Sequence, residues 1–213
     1  YFEGPRSGRI VDGKVRIIQQ RGSVVEFEVD HVWHAHDGQI PLRDRWLCKF
    51  GLYDNCDVWM DFGVILTTDE SCVTLRSTNE CALPMVRVAS AIAVRNGGSI
   101  RNSRGDEKEW LTFGRRAEWV DYSGRIGKWG SYGIAIFDNP NNKGFPCPWF
   151  TRDYGPFGPG RNYFDGDIVI TPTVPMVFQY RIVVHRGDAN DAKIKERWME
   201  YILSATLLRS GVK

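Results

Sequence analysis

The sequence lacks the features that mark several large functional classes. None of its apolar runs approaches the ~20 residues that a membrane-spanning helix requires, so no membrane span is predicted. The formal net charge of +2 gives no electrostatic argument for binding nucleic acid. GxGxxG, Walker, HExxH and GxSxG motifs are all absent, so nucleotide-dependent and serine-hydrolase functions have no support.

Cysteine is scarce and scattered. The chain has five cysteines, an odd number that leaves at least one of them unpaired within the chain. No CxxC pair or Cys/His cluster has zinc-site spacing, so neither a metal nor a cofactor is predicted. Reduced or buried thiols are favoured over a disulfide framework, which points weakly to a reducing compartment. One or two disulfides, and a secreted or periplasmic location, stay open alternatives. The cysteines are Cys48, Cys56, Cys72, Cys81 and Cys147.

Short alternating segments dominate the chain. In the segment 24–33, Val25, Phe27, Val29 and His31 alternate with more polar residues, which is typical of a half-buried strand. Comparable segments separated by turns follow along the chain, as in an antiparallel sandwich. The sequence therefore predicts a single all-β domain over residues 1–213, an antiparallel β-sandwich.

Three local patterns refine this prediction. Asp12-Gly13 lies between two strand-like segments and predicts a hairpin. The segment 86–95 predicts a strand. Apolar residues spaced three and four apart in 191–203 predict one C-terminal helix, the only segment with convincing helical spacing.

The first ten residues, YFEGPRSGRI, contain a Gly-Pro turn followed by a strand, as expected for the interior of a domain. We therefore expect the N-terminal strands of the sandwich to be missing. A sheet without its first strands exposes an apolar face and an unpaired edge. We expect an N-terminal segment, a second chain or a homo-oligomer to complete the sheet near residues 2–18, where Phe2, Ile10, Val15 and Ile17 lie.

The segment 118–157 concentrates the candidate site residues. Trp119 and Asp121 share one face of a predicted strand, and Tyr122 follows them. An indole can stack on a sugar ring while a carboxylate accepts hydrogen bonds from its hydroxyls, so this pair suits sugar binding. The alternative is a surface Asp121 beside a core Trp119.

A second strand of this segment ends at Asp138, before an Asn-Pro-Asn-Asn turn. Asp138 is an acid–base candidate, but capping of its own turn is the favoured interpretation. Trp149 is a candidate stacking platform, and Arg152, Asp153 and Tyr154 follow it. Arg152 could clamp an anion, or it could form an internal salt bridge with a nearby aspartate.

Histidines supply the remaining candidates. His185 ends a predicted strand, so it is a candidate general base, although a lone histidine is more often structural. His34 and His36 form an H-x-H pair that could bind a metal. Asp37-Gly38 follows directly, and a solvated turn is favoured there.

Four segments together resemble the bacterial proteins of the DUF6807 family, also labelled methane oxygenase PmoA. They are EWVDYSG (118–124), GIAIFDNPNN (133–142), PCPWFTRDYGPFG (146–158) and YRIVVHRGD (180–188). The resemblance extends from about Gly8 through most of the chain. It implies a β-sandwich similar to the supersandwich of galactose mutarotases, and an association with carbohydrate use. The oxygenase label gains no support, because the sequence shows neither a membrane span nor a cluster of copper ligands.

The chain departs from the family pattern at two histidines. Asn139 stands in the D-H-P motif, and Phe150 stands in the P-W-H-x-R motif. The resemblance also implies an upstream segment, rich in histidine, that we expect to lie before Tyr1. If the family histidines are catalytic or bind a metal, this chain has lost that function.

Two functions follow as hypotheses. In the first, the protein binds or acts on a sugar in a cleft lined by the WVDYSG and PWFTRDYG motifs, whose residues converge in one neighbourhood. The second is a non-catalytic structural subunit completed by another chain or segment. For the sugar site, the catalytic candidates are Asp121, Asp138 and His185, and the binding candidates are Trp119, Tyr122, Trp149, Arg152, Asp153 and Tyr154.

Overall fold

A computed structural model describes residue 4 and residues 7–69, 71–78 and 82–204. Within these residues most of the chain is extended. The strands are β1 (Arg9–Arg21), β2 (Val24–His34), β3 (Leu42–Leu52), β4 (Val58–Thr67), β5 (Val73–Leu75), β6 (Val86–Arg87), β7 (Ser99–Asn102), β8 (Trp119–Arg125), β9 (Ser131–Asp138), β10 (Trp149–Thr151), β11 (Pro156–Pro159), β12 (Ile168–Ile170) and β13 (Met176–Arg186). The helices are α1 (Glu109–Thr112), α2 (Arg161–Phe164) and α3 (Ile194–Ser204), with 3-10 turns at Ser90–Ile92, Val94–Asn96 and Gly127–Trp129.

One large antiparallel sheet organises the fold. It has eight strands in the order β1-β2-β3-β4-β13-β9-β8-β7. A three-stranded sheet, β10-β11-β6, and a two-stranded sheet, β12-β5, accompany it. The predicted all-β, sandwich-type architecture is confirmed, and so is the C-terminal helix, which occupies Ile194–Ser204. Among the described residues no helix is both long and apolar enough to cross a membrane.

The large sheet has two differently covered faces, because side chains alternate along every strand. We call the face that packs against the two small sheets the sandwich face; Val120, Tyr122 and Tyr180 lie in its core together with Trp149 and Phe157 of the small sheet. We call the opposite face the helix face. There Trp119, Phe137 and Val183 pack with Ile194 and Tyr201 of α3, forming a second core.

Two local predictions are wrong. Asp12-Gly13 does not form a hairpin, because β1 runs continuously through it. The dipeptide lies instead at a shift in the pairing register with β2, between Asp12 and Val15. The chain turns instead at Gly22, which adopts a left-handed φ of 58°. In the predicted strand at 86–95, only Val86–Arg87 is extended, and two 3-10 turns follow.

The outermost described strand, β1, is exposed along its whole length. On its sandwich-face side, Ile10, Val15 and Ile17 are 53%, 61% and 66% exposed. Phe2 lies outside the described residues. Completion of the sheet near residues 2–18 by another segment or chain stays a prediction.

Candidate functional site

Asp121 and His185, two of the predicted catalytic residues, form a sealed pair on the helix face. Nε2 of His185 lies 2.6 Å from Oδ2 of Asp121, and the two side chains are 0% and 1% exposed. Nδ1 of His185 lies 3.3 Å from the carbonyl oxygen of Arg186. Gly133 makes room for the ring, because a Cβ there would lie 2.4 Å from Cε1 of His185. Burial raises the pKa of Asp121, opposed by the hydrogen bond with His185.

Asp138 is the centre of a buried turn. Its Oδ1 accepts hydrogen bonds from the amide of Asn139 (3.0 Å) and from Nδ2 of Asn142 (2.7 Å). Its Oδ2 accepts one from the amide of Cys147 (2.9 Å), and Nη2 of Arg161 reaches both oxygens at 2.9 and 2.7 Å. The carboxylate is 0% exposed and fully engaged with protein groups. This geometry favours turn capping over catalysis.

Arg152 forms the internal salt bridge that the sequence left open, but its partner is Glu109. Its Nη1 donates to Oε1 of Glu109 at 2.8 Å, and its guanidinium lies 4.3 Å from the centre of the Phe113 ring. The amide of Asp153 donates to Oε2 of Glu109 at 2.7 Å, and the amide of Glu109 donates back to Oδ1 of Asp153. These reciprocal contacts fasten α1 to the loop after β10. The neighbouring Tyr154 ring packs under Arg87.

Tyr122 and Trp149 are core residues of the sandwich face. The hydroxyl of Tyr122 donates to the carbonyl oxygen of Arg152 at 2.7 Å, and its ring stacks on Phe157 at 4.5 Å. Trp149 is fully buried, and its indole N–H donates to the carbonyl oxygen of Ala117 at 2.8 Å. Neither ring offers a free face to a ligand.

The predicted single neighbourhood is therefore wrong. Trp119 and Asp121 lie on the helix face, whereas Tyr122, Trp149 and Arg152 lie on the sandwich face. The physical reason is the two-residue period of β8, which sends the side chains of Asp121 and Tyr122 to opposite sides of the sheet. The individual catalytic and binding roles stay predictions, and burial favours structural roles.

A different constellation, which the sequence analysis missed, lies on the sandwich face of β2 and β3. Nδ1 of His31 lies 2.6 Å from Oδ1 of Asp44, and the indole N–H of Trp33 donates to Oδ2 of Asp44 at 2.5 Å. Because Asp44 accepts from Trp33, we assign the other bond as donated by Nδ1–H of His31. The second ring nitrogen, Nε2, lies 3.6 Å from Oδ1 of Asp12, a residue whose side chain is 83% exposed.

Trp33 also lines a cavity on the sandwich face. The cavity has a volume of about 530 Å³. Trp33, Phe178 and Tyr180 contribute from the large sheet, and Arg161 of α2 contributes a charged group. Asp44 thus fixes both the ring that bounds the cavity and the imidazole beside it. Other lining residues are Leu75, Arg76, Leu83, Pro159 and Ile168.

The H-x-H segment follows β2 at the edge of the sheet. His36 and Asp37 lie in a turn in which Oδ1 of Asp37 accepts from the amide of Gln39. The favoured interpretation as a turn is confirmed. Within the described ranges, no group of three or more His, Cys, Asp and Glu side chains has a metal-binding arrangement.

Comparison with known proteins places this chain in a family without an assigned activity. The sequence matches the family described as "Family of unknown function (DUF6807)" over residues 1–199. The chain is a member of the DUF6807 family. No curated protein and no solved structure matches it. The family description names no oxygenase activity, so the methane-oxygenase label has no support from it.

The two positions at which this DUF6807 protein was expected to lack family histidines are buried. Nδ2 of Asn139 donates to the hydroxyl of Tyr201 at 2.9 Å, which links the turn after β9 to α3. Phe150 is 1% exposed and packs against Phe113 and Tyr163. In this chain both residues therefore contribute to packing.

Proposed function

We propose that this DUF6807 protein binds a carbohydrate-related ligand in the sandwich-face cavity, and not in a cleft between the WVDYSG and PWFTRDYG motifs. The observation that carries the proposal is the cavity of about 530 Å³ bounded by Trp33. Small-molecule sites commonly enclose about 300–1,000 Å³ and combine apolar walls with a few polar groups. The predicted motif cleft, by contrast, is occupied by packed side chains.

Trp33 supplies the stacking platform in this proposal. Its indole N–H is bound to Asp44, so the ring has a fixed orientation while also lining the cavity. The apolar face of a sugar ring packs on such an aromatic plane. Thr74 and Thr78, which also line the cavity, provide hydroxyl groups for hydrogen bonds to the ligand.

His31 supports this platform from beside the cavity. Its Nδ1–H is bound to Asp44, the same carboxylate that holds the indole of Trp33. The His31 side chain is 8% exposed and is not among the described lining residues, and its Nε2 lies 3.6 Å from Oδ1 of Asp12. We therefore propose ligand binding at the cavity and no proton transfer by His31.

Ligand-observed NMR with a panel of mono- and disaccharides tests the proposed binding. We expect saturable binding by the wild-type protein, and at least a roughly tenfold weaker affinity for Trp33→Leu, because the platform is lost. Trp110→Leu is the matched control, since Trp110 is 72% exposed and does not line the cavity. Absence of saturable binding to any sugar, or equal affinities for all three proteins, would contradict the proposal.

A structural subunit is the second candidate function. The observation that favours it is the exposed apolar side of β1, where Ile10, Val15 and Ile17 have no cover among the described residues. For this function we propose a second copy of the chain as the partner, with the two β1 edges adjacent. Light scattering at micromolar concentration should then give a dimer that Val15→Lys dissociates. A monomeric wild-type protein would refute this candidate.

A further inference from the structure

Among the described residues, the charged groups that line the sandwich-face cavity all carry the same sign. They are Arg76, which directly follows β5, and Arg161 of α2. No acidic side chain of the described residues lines the cavity. The remaining lining groups are mostly apolar, so a charge on a bound ligand would interact chiefly with these two guanidinium groups.

Arg161 is anchored on one side and has unused capacity on the other. Asp138 accepts from its Nη2 with both oxygens, and the carbonyl oxygen of Lys143 accepts from its Nη1 at 2.6 Å. Its buried Nε–H makes no hydrogen bond within the described residues, although the Tyr180 phenol interacts with the same guanidinium. Because Asp138 compensates the charge, Arg161 adds a guanidinium group but little net charge to the cavity lining.

Arg76 supplies the net charge. It is exposed, and within the described part of the chain it forms no ion pair. Next along the chain, the amide of Ser77 donates to Oδ1 of Asp167 at 2.7 Å. Among the described residues, the cavity therefore has at its lining a planar, forked cation that no ion pair compensates.

We propose that the ligand is an anionic sugar, with its ring against the apolar walls and its acidic group at Arg76 and Arg161. This inference rests on the proposed carbohydrate function and specifies the ligand class. A guanidinium fork binds the two oxygens of a carboxylate side by side, which favours a uronic acid. A sugar phosphate also carries a negatively charged acidic group, and it is the alternative ligand class.

The experiment compares matched ligands by isothermal titration. Glucose, galactose and mannose are each measured beside the corresponding uronic acid and hexose phosphate. We expect at least one uronic acid to bind roughly tenfold or more tightly than its neutral parent. The preference should weaken between roughly 50 and 500 mM salt, because the contact at Arg76 is exposed to solvent.

Variants separate this inference from the proposed function. Arg76→Gln should weaken the anionic ligand roughly 3- to 10-fold and leave the neutral parent within about twofold, whereas Arg76→Lys should retain part of the preference. Arg95→Gln is the matched control, because Arg95 is exposed and does not line the cavity. Tightest binding by a phosphate would assign the acidic group as phosphate.

Two results would overturn the inference. If neutral sugars bind as tightly as their acids, or if Arg76→Gln binds the acids as wild type does, the anionic class is wrong while the carbohydrate function stands. If none of the nine ligands binds, the carbohydrate function itself fails, and the inference fails with it.

Discussion

The molecule contains two Asp–His pairs with the same separation and different surroundings. Asp121 and His185 on the helix face, and Asp44 and His31 on the sandwich face, are each 2.6 Å apart. In the first pair both ring nitrogens lie against protein oxygens, and the imidazole is 0% exposed. In the second pair, Nε2 of His31 faces the exposed carboxylate of Asp12 at 3.6 Å.

The difference shows that the Asp–His distance alone does not identify a functional histidine. A general base needs a lone pair that a ligand can reach. His185 has no such access, so its pair ties β8 to β13 across β9. His31 is 8% exposed, with one nitrogen oriented by Asp44 and the other near the exposed carboxylate of Asp12, and Asp44 also fixes the orientation of the Trp33 ring at the cavity.

The largest expected effect on the free energy of unfolding comes from breaking the sealed pair, Asp121 and His185. Asp121→Ala leaves buried His185 without its carboxylate, and breaking one side of a buried pair costs about 3–5 kcal/mol of the free energy of unfolding. Urea unfolding followed by circular dichroism measures this value. A loss below about 1 kcal/mol would show that the pair does not stabilise the fold, and the contrast between the two pairs would disappear.

Asp44→Ala should have a smaller effect on stability and a larger one on binding. It removes the acceptor of two hydrogen bonds, from Trp33 and His31, at a cost of about 1–3 kcal/mol. The Trp33 ring then loses its fixed orientation, so affinity for a sugar ligand should fall. Arg43→Ala on the same strand, outside the cavity lining, is the control. Unchanged affinity in Asp44→Ala would contradict the assignment of Trp33 as a fixed platform.

Acid titration distinguishes the sealed pair in a further way. Burial raises the pKa of Asp121, so the folded chain holds this proton more tightly than the unfolded chain. The contribution of Asp121 to the free energy of unfolding is therefore greatest at low pH. It declines as the pH rises from the unfolded value of about 4 through the raised folded value. Urea unfolding across this pH range gives the free energy of unfolding of the wild type and of Asp121→Asn. The difference, wild type minus variant, should decrease as the pH rises. An increase would contradict the assigned direction of the pKa shift.

The smallest effect concerns Arg152, which the sequence grouped with Asp121. Arg152→Gln removes a partly exposed ion pair with Glu109, a type of interaction that contributes about 0.2–1 kcal/mol. Urea unfolding should show a loss within that range, and sugar affinity should not change. A clear loss of sugar affinity without a loss of stability would show that Arg152 takes part in ligand binding.

Patterns within single strands predicted much of the fold. Alternation placed Trp119 and Asp121 together, and the helical spacing found α3. The alternation in β2 also grouped His31 with Val25, Phe27 and Val29, so the sequence alone could predict that His31 lies on the buried face of the strand. What the sequence could not supply was the register that places Asp44 opposite His31, because pairing between separate strands depends on contacts across the whole sheet.

The candidate site was mislocated for a related reason. Dense aromatic and charged residues at 118–157 indicated function, but the fold buries Tyr122 and Trp149 between the sheets and Trp119 against α3. Arg161 lies outside any recognisable motif, and its role depends on Asp138, 23 residues earlier in the chain. Only the folded chain brings these residues together.

The central claim is that ligand binds beside Trp33 on the sandwich face and not beside Trp119 on the helix face. Titration of the tightest-binding sugar into Trp33→Leu and Trp119→Leu, at a temperature where both are folded, tests it most directly. We expect roughly tenfold or greater loss of affinity in Trp33→Leu and wild-type affinity in Trp119→Leu. The reverse pattern would place the site at the motif that the sequence first indicated and would contradict the account.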